Sequence, residues 1–233
     1  MIDITIPVYN EEAVLEKSIA KLRKFLKSYN KKCRIIIANN SSTDKTLEIA
    51  KNLAKKYQGV SYIHLGKKGR GRALKKSWLN SKAGIVSYMD VDLSTGLDAF
   101  PKMIASIESG FDIAIGSRFA KGAKVKRSLK REILSRAYNL MLKPVFFNRF
   151  SDSQCGFKAA SSKTIKKVAP KVKNNQWFFD TEFLIRAEKK GYKIKEVPVR
   201  WKEDPGTKVK TAETVMSYLY NIIRLRINLF VEK

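Results

Sequence analysis

Apolar positions along the chain switch between two periods. Ile2–Val8 (IDITIPV), Val60–Leu65 and Ile85–Met89 are short β-branched runs and Arg34–Ala38 (RIIIA) is a continuous one, so each predicts a strand. Glu11–Lys27 spaces Val14, Leu15, Ile19, Leu22, Phe25 and Leu26 at the helical repeat, and Thr43–Tyr57 does so with Leu47, Ile49, Ala50, Leu53 and Ala54. Helices over Arg72–Ser81 and Leu97–Ser109 and a strand over Asp112–Ile115 continue the alternation. Strands separated by helical stretches predict βαβ units, hence an α/β fold with a mostly parallel, doubly wound sheet. Ligands of such sheets bind beyond the carboxyl ends of the strands, so the loops after each strand hold the candidate chemistry.

The second half is less regular. Leu129–Leu142 predicts a helix stopped by Pro144, and Val145–Phe150 (VFFNRF) an apolar turn flanked by basic residues. Gly156–Ala160 and Lys193–Val199 predict strands that bracket a helix at Asp180–Lys190. Thr211–Val231 predicts a C-terminal helix, apolar around most of its circumference and interrupted by Arg224 and Arg226. No internal repeat or linker divides the chain, which predicts one compact domain. No apolar run reaches the roughly 18 residues of a spanning helix. The opening MIDITIPVYNEE lacks the basic-then-apolar pattern of a signal peptide, so a cytosolic location is expected.

Charge changes this picture. The 233 residues carry 48 Lys and Arg against 21 Asp and Glu, a net charge of +27, so the chain is suited to polyanions. No acid lies between Glu48 and Asp90, where Lys67, Lys68, Arg70, Arg72, Lys75 and Lys76 crowd together. Between Asp112 and Asp152 the one acid is Glu132, among Lys121, Lys124, Lys126, Arg127, Lys130, Arg131 and Arg136. Two cysteines, Cys33 and Cys155, define no disulfide framework and point to a reducing compartment. The single histidine, His64, reads as a structural strand residue; it excludes a His-rich metal site and argues against a Ser-His-Asp triad, so a bound metal must be held by oxygen.

Asp90-Val91-Asp92 closes an apolar strand, and carboxylates at i and i+2 can converge there on Mg²⁺ or Mn²⁺ while leaving positions for substrate phosphates. In the first loop, Pro7 to Glu12, Asn10 suits a helix N-cap and the ring of Tyr9 suits stacking on a base or sugar. Asn39-Asn40-Ser41-Ser42-Thr43-Asp44 offers amides and hydroxyls to a nucleobase or ribose, or equally to turn formation. Lys68-Gly69-Arg70-Gly71-Arg72 is not a dinucleotide fingerprint, which disfavours an NAD enzyme, but glycines between cations suit close approach to an anion. Gly116-Ser117-Arg118, Asp152-Ser153-Gln154-Cys155-Gly156-Phe157 and Trp177-Phe178-Phe179-Asp180-Thr181-Glu182 complete the set. Asp180 and Glu182 also suit the first turn of a helix for reasons of charge alone.

In this order the motifs resemble family 2 glycosyltransferases of the GT-A fold, and within them the polyprenyl-phosphate sugar synthases, the dolichyl-phosphate glucose and mannose synthases. The resemblance rests on PVYNEE (7–12), ANNSSTDKT (38–46), KGRGRALK (68–75), MDVDLST (89–95), IGSR (115–118), DSQCGFKA (152–159), WFFDTE (177–182) and EVPVRW (196–201). DSQCGFK and WFFDTE lean toward the glucose branch. The resemblance implies a Rossmann-like, mostly parallel sheet flanked by helices over residues 1–210, with 1–96 as the nucleotide-sugar half, 97–210 as the acceptor half, and 211–233 as an apolar, basic helix.

It further implies metal-dependent, inverting transfer of a hexose, glucose before mannose, from UDP-glucose or GDP-mannose to a polyprenyl or dolichyl phosphate. Mg²⁺ or Mn²⁺ would sit on Asp90 and Asp92. Pro7, Tyr9, Glu11, Asn39, Asn40, Gly69, Arg70 and Val91 would bind the nucleotide sugar. Arg118, Arg131 and Lys208 would neutralise donor and acceptor phosphates, and Asp152, with Asp180 and Glu182 in support, would lie near the reacting centre as orienter or base. Asn39 and Asn40 stand where the family often has two acids, and Ser94 where mannose synthases commonly have Gln. A lipid acceptor implies attachment to the cytoplasmic face of a membrane, through Lys121–Arg136, the Val145–Phe150 turn and the terminal helix, whose packing as a buried helix is the competing expectation. Two rivals are weighed: transfer to a sugar hydroxyl of a polysaccharide, which needs a general base, and nucleic-acid binding, for which no helix-turn-helix, RNP or zinc signature is present and which leaves Asp90 and Asp92 without a role.

Overall fold

The computed structural model describes residues 1–203 and 211–232, apart from the side chains of 211–215. Among these residues, β1 (Ile2–Val8), β2 (Cys33–Asn39), β3 (Val60–His64), β4 (Ile85–Met89), β5 (Ile113–Ser117), β7 (Phe157–Ser161) and β8 (Ile194–Pro198) form one sheet in the order β3-β2-β1-β4-β7-β5-β8. Its pairings are parallel except those of β7, which runs antiparallel to both β4 and β5. A small parallel ribbon joins β6 (Lys124–Lys126) to β9 (Arg200–Lys202). The helices are α1 (Leu15–Lys27), α2 (Thr46–Lys56), α3 (Arg70–Leu79), α4 (Ala99–Glu108), α5 (Leu129–Phe146), α6 (Ser162–Val168), α7 (Phe179–Lys189) and α8 (Thr211–Val231).

Strand alternation sorts side chains into two cores, one on each face of the sheet. Ile2, Ile4, Ile6 and Val8 of β1 meet α1, α2 and α4. Val86 and Tyr88 of β4 point the other way, into a core shared with Trp78 of α3, Leu142 and Phe146 of α5, Phe179 and Phe183 of α7, and Ile222 and Leu225 of α8. On that second face β1 carries polar residues with dedicated partners: Thr5 bonds Ser77 at 2.7 Å, and Asp3 takes hydrogen bonds from Arg34 and Ser81.

The mostly parallel sheet agrees with the periodicity, and three local expectations are corrected. Asn10 does not cap α1, which begins only at Leu15; with φ at +53° it turns the chain, and its Oδ1 accepts from the Thr43 backbone N–H at 2.8 Å. Pro144 does not stop α5, which continues to Phe146 and ends where Phe147, with φ at +53°, donates to the Lys143 carbonyl. The apolar turn expected at Val145–Phe150 is therefore mostly packing: Phe146 and Phe150 are buried and Phe147 alone of the three is exposed. The β6–β9 ribbon and α6 leave no clear signal in the sequence, because elements of three and seven residues carry too little periodicity.

Gly71 sets the spacing of α3 and α7, since a Cβ there would lie 2.4 Å from Cβ of Phe179. Alanine in place of a helical glycine ordinarily stabilises by about 0.5–1 kcal/mol. Here overpacking reverses the sign, and Gly71→Ala is expected to destabilise by about 1–3 kcal/mol, read as a lowered urea midpoint.

Candidate active site

The connections reverse direction between β1 and β4, and the crevice beyond their carboxyl ends is the expected ligand position in an open α/β sheet. The fold brings four of the singled-out loops to this edge. Pro7 is buried in β1, paired in register with Ala38, and Tyr9 follows it with its ring 3.6 Å from the Lys68 ammonium. The Glu11 backbone N–H donates to Thr46 Oγ1 at 2.8 Å, which ties the first loop to α2. Asn39 and Asn40 are buried at the end of β2. Asn39 Nδ2 lies 2.8 Å from His64 Nδ1, and Asn40 Oδ1 accepts from the Gly69 backbone N–H at 2.5 Å, so β2 and the loop before α3 are joined.

Beyond β4 the chain turns tightly, with the Leu93 N–H on the Asp90 carbonyl at 3.1 Å and Leu93 at φ +49°. Val91 and Leu93 face the core, which leaves the Asp90 carboxylate half-exposed and Asp92 exposed. Gly156 lies directly against Asp90: a Cβ there would be 1.6 Å from Asp90 Oδ2. Asp92 Oδ1 accepts from the Ser94 backbone N–H at 2.9 Å. Among the described residues no third His, Cys, Asp or Glu joins the two aspartates. Two hard oxygen donors with the remaining positions open fit an Mg²⁺ or Mn²⁺ ion that shares its coordination with phosphate oxygens and water.

Behind Asp90 lies a buried polar cluster. Arg70 reaches Asp90 Oδ1 at 2.7 Å and Asp180 Oδ2 at 2.5 Å. Asp180 Oδ1 accepts from the Tyr88 hydroxyl at 2.5 Å and lies 3.3 Å from the Lys158 ammonium, which also donates to the Cys155 carbonyl at 2.7 Å. Burial works to raise the Asp180 pKa, but Lys158, Arg70 and the Tyr88 hydroxyl together hold it below the ordinary aspartate range. Arg70 thus turns its fork to two carboxylates within the protein.

Asp152 is fully buried and its oxygens are saturated. Arg118 grips both through Nε and a terminal nitrogen at 2.8 Å, while the backbone N–H groups of Arg118, Gln154 and Cys155 add three further bonds. Against its own burial, the Arg118 charge and these bonds keep Asp152 ionised below the usual range. Glu182 is equally committed, to the backbone of Lys173 and Asn174 and to Arg186 and Arg224, so it fastens α8 to α7. Burial pushes the Cys155 thiol up to about 12, which makes it inert. Arg131 pairs with Glu203 at 2.6 Å, and Lys208 lies outside the described residues.

Three residues here were not singled out for the site from the sequence. Lys158 and Tyr88 complete the Asp180 cluster, and a lysine inside the apolar strand Phe157–Ser161 was a legible sign of a buried counter-charge. Arg127 sits with Arg118 and Arg136 around Phe119, at 5.3, 5.9 and 4.7 Å from the ring centroid. One terminal nitrogen of Arg127 is buried without a partner among the described residues.

The sheet order, with a carboxylate pair at its switch point and arginines beyond β5, is that of the GT-A fold. The chain belongs to glycosyl transferase family 2, whose model matches residues 3–169. It is 31% identical over 227 residues to Glycosyltransferase AglD of Haloferax volcanii, covering 96% of this chain and 36% of that one. Dolichyl-phosphate beta-glucosyltransferase ALG5A of Trichomonas vaginalis is 32% identical over 220 residues, covering 90% of this chain and 68% of that one. The chain thus spans about a third of the first relative and about two thirds of the second. Among solved structures, glucosyl-3-phosphoglycerate synthase from Mycobacterium tuberculosis in complex with Mn²⁺ and UDP-glucose superposes with a TM-score of 0.68 at 16% identity, over 98% of this chain and 78% of that one.

Asp152 and Asp180 both bind protons less readily in the folded chain than in the unfolded one. Their contribution to stability is therefore complete above the ordinary value of 3.8 and is lost as pH falls through their lower folded values. Asp152→Asn is expected to flatten this acid limb in urea titrations at several pH values. At neutral pH it should cost about 3–5 kcal/mol, because Arg118 is left buried without its counter-charge.

Proposed function

We propose that this chain transfers a hexose, glucose before mannose, from a nucleotide diphosphate sugar to the phosphate of a polyprenyl or dolichyl lipid at the cytoplasmic face of a membrane, with inversion at the anomeric carbon. The observation that carries the acceptor class is the state of Asp152 and Asp180. Transfer to a sugar hydroxyl requires a proton acceptor, yet both carboxylates are closed in buried ion pairs and held ionised below the usual range. A lipid monophosphate is already anionic near neutrality and needs positioning and charge neutralisation instead. The polysaccharide reading is correspondingly weaker.

In this reading residues 1–96 form the donor half and 97–210 the acceptor half. Pro7, Tyr9, Glu11, Asn39, Asn40, Gly69 and Val91 line the nucleotide side, and Asp90 and Asp92 hold Mg²⁺ or Mn²⁺, which when bound supplies charge neutralisation for the leaving diphosphate. Arg118 is presented by Asp152, which makes Asp152 an orienter. Arg118, Arg131 and Lys208 neutralise phosphate, and Arg127, with a buried N–H that has no partner among the described residues, adds a donor of the kind such a group accepts. The names of the dolichyl-phosphate glucosyltransferase relatives and the UDP-glucose complex of the structural neighbour support the glucose and UDP assignment.

Two neighbouring helices supply the membrane face. α8 buries Asn221, Ile222 and Leu225 but exposes Met216, Tyr220, Ile223, Ile227 and Phe230, while α5 exposes Leu129, Ile133 and Leu140 and ends at exposed Phe147. The helices touch, with the rings of Tyr138 and Tyr218 4.9 Å apart. No helix among the described residues is long and apolar enough to cross a membrane. An outward apolar stripe on a chain of net charge +27 suits an anionic bilayer surface.

Radiolabelled nucleotide sugars offered with a short polyprenyl phosphate test the chemistry. Label should enter the organic phase with UDP-glucose, vanish with EDTA, and fall by about 10²–10³ in Asp92→Ala; donor consumption without lipid product would move the acceptor to a carbohydrate. For attachment, the doubly substituted Ile223→Glu, Ile227→Glu chain should fold normally but lose most of its salt-sensitive cosedimentation with anionic vesicles. Undiminished binding would assign the membrane face elsewhere.

A further inference from the structure

Three observations converge on Arg70. Its guanidinium is buried behind Asp90 and bridges that residue to Asp180, at 2.7 and 2.5 Å. Asp180 is closed on its other oxygen by Tyr88 and Lys158, so Arg70 has a fixed seat. Backbone packs against this seat on several sides with no room for a Cβ. One on Gly69 would meet the Asn175 carbonyl at 2.6 Å, one on Gly71 would meet Phe179 at 2.4 Å, and one on Gly156 would lie 1.6 Å from Asp90 Oδ2. Gly69 and Gly71 at the start of α3 thus permit the close packing that flanks the arginine.

The seat has an electrostatic consequence. Within the cluster Asp90 and Asp180 are balanced by Arg70 and Lys158, so the charge of Asp90 is matched before any metal arrives. One of its two oxygens is also already hydrogen-bonded. A divalent cation drawn to this carboxylate meets a weakened field, and a nucleotide diphosphate brings the anionic oxygens that would complete its binding.

We infer that Arg70 is a positioning residue that fixes Asp90 for the metal and makes tight metal binding conditional on the nucleotide diphosphate. This rests on the reading of Asp90 and Asp92 as the metal site. It differs from a packing role in one measurable respect: the coupling between metal and nucleotide runs through the charge of Arg70, whereas a merely structural arginine would leave that coupling unchanged.

Mn²⁺ binding to the purified chain, followed by loss of the free-ion EPR signal and corrected for Mn²⁺–UDP in solution, tests this without turnover. Wild-type protein should bind Mn²⁺ weakly alone and more tightly with UDP. In Arg70→Met, Mn²⁺ alone should bind about tenfold more tightly, and the enhancement by UDP should shrink by a similar factor. Asp180→Asn should do the opposite, because Arg70, freed of its second partner, holds Asp90 harder and weakens Mn²⁺ binding without nucleotide. If Arg70→Met fails to fold, the sign of the Asp180→Asn shift decides. Variants that fold and shift in the same direction, or not at all, while wild type still binds Mn²⁺ with UDP, overturn the role of Arg70 alone. Absence of Mn²⁺ binding by wild type in the presence of UDP overturns the metal-site reading with it.

Discussion

A carboxylate taken wholly out of water must be met by compensating charge and donors, and the structure is organised around one such group, Asp180. Its partners come from three elements: Arg70 from the start of α3, Tyr88 from β4 and Lys158 from β7. Each is itself buried, so none can turn to solvent if the others are displaced. Leaving one of these charges unpaired costs several kcal/mol, which is a large fraction of the stability of an ordinary domain. The antiparallel β7 beside β4 carries Lys158 to the cluster, and Gly71 lets α3 lie against α7, which bears Asp180. The edge of the cluster is Asp90, so the arrangement that holds the second core together also aims the first aspartate of the candidate metal site.

Asp152 repeats the principle with a different result. It is buried and saturated by Arg118 and three backbone N–H groups, and in return it fixes a guanidinium among Phe119, Arg127 and Trp201. The interior acids of this half are used to seat cations. Carboxylates closed in this way are poor proton acceptors, and the proposed phosphate acceptor rests on that.

The repeating β and α stretches of the first half were legible because each element there is long enough to show its period and each is bounded by turn residues. Ile85–Met89 is placed to the residue, and Thr211–Val231 likewise. The sequence places the helix starts early, at Glu11 and Thr43, because Asn10 and Thr43 have the chemistry of caps yet use it on one another across two loops. Strand direction cannot be read from hydrophobicity, so the antiparallel course of β7 was invisible. Within the candidate site, residue type and position at strand ends single out Asp90, Asp92 and Arg118, while Asp152 stands before a strand and is given a role by the family resemblance. What could not be found was which way Arg70 faces, because a cation between glycines looks the same whether its counter-ion is a ligand or a buried aspartate. Lys158 was the available clue, since a charge in the middle of an apolar strand implies an opposite charge at the same depth.

The terminal helix shows how one sequence stretch answers two constraints. Apolar residues around most of its circumference left its placement open between a packed helix and an interfacial one. The structure packs one side of it: Ile222 and Leu225 enter the second core, and Arg224 reaches Glu182, whose other bonds include those that hold the segment before α7. Its opposite face carries Ile223, Ile227 and Phe230 into solvent, beside the exposed apolar residues of α5. A helix anchored by buried contacts loses little further freedom when its outer face meets another apolar phase, so the entropy of ordering is already spent in folding. The anchor also runs through α7, the helix that bears Asp180, so whatever surface α8 rests on is mechanically continuous with the cluster that positions Asp90.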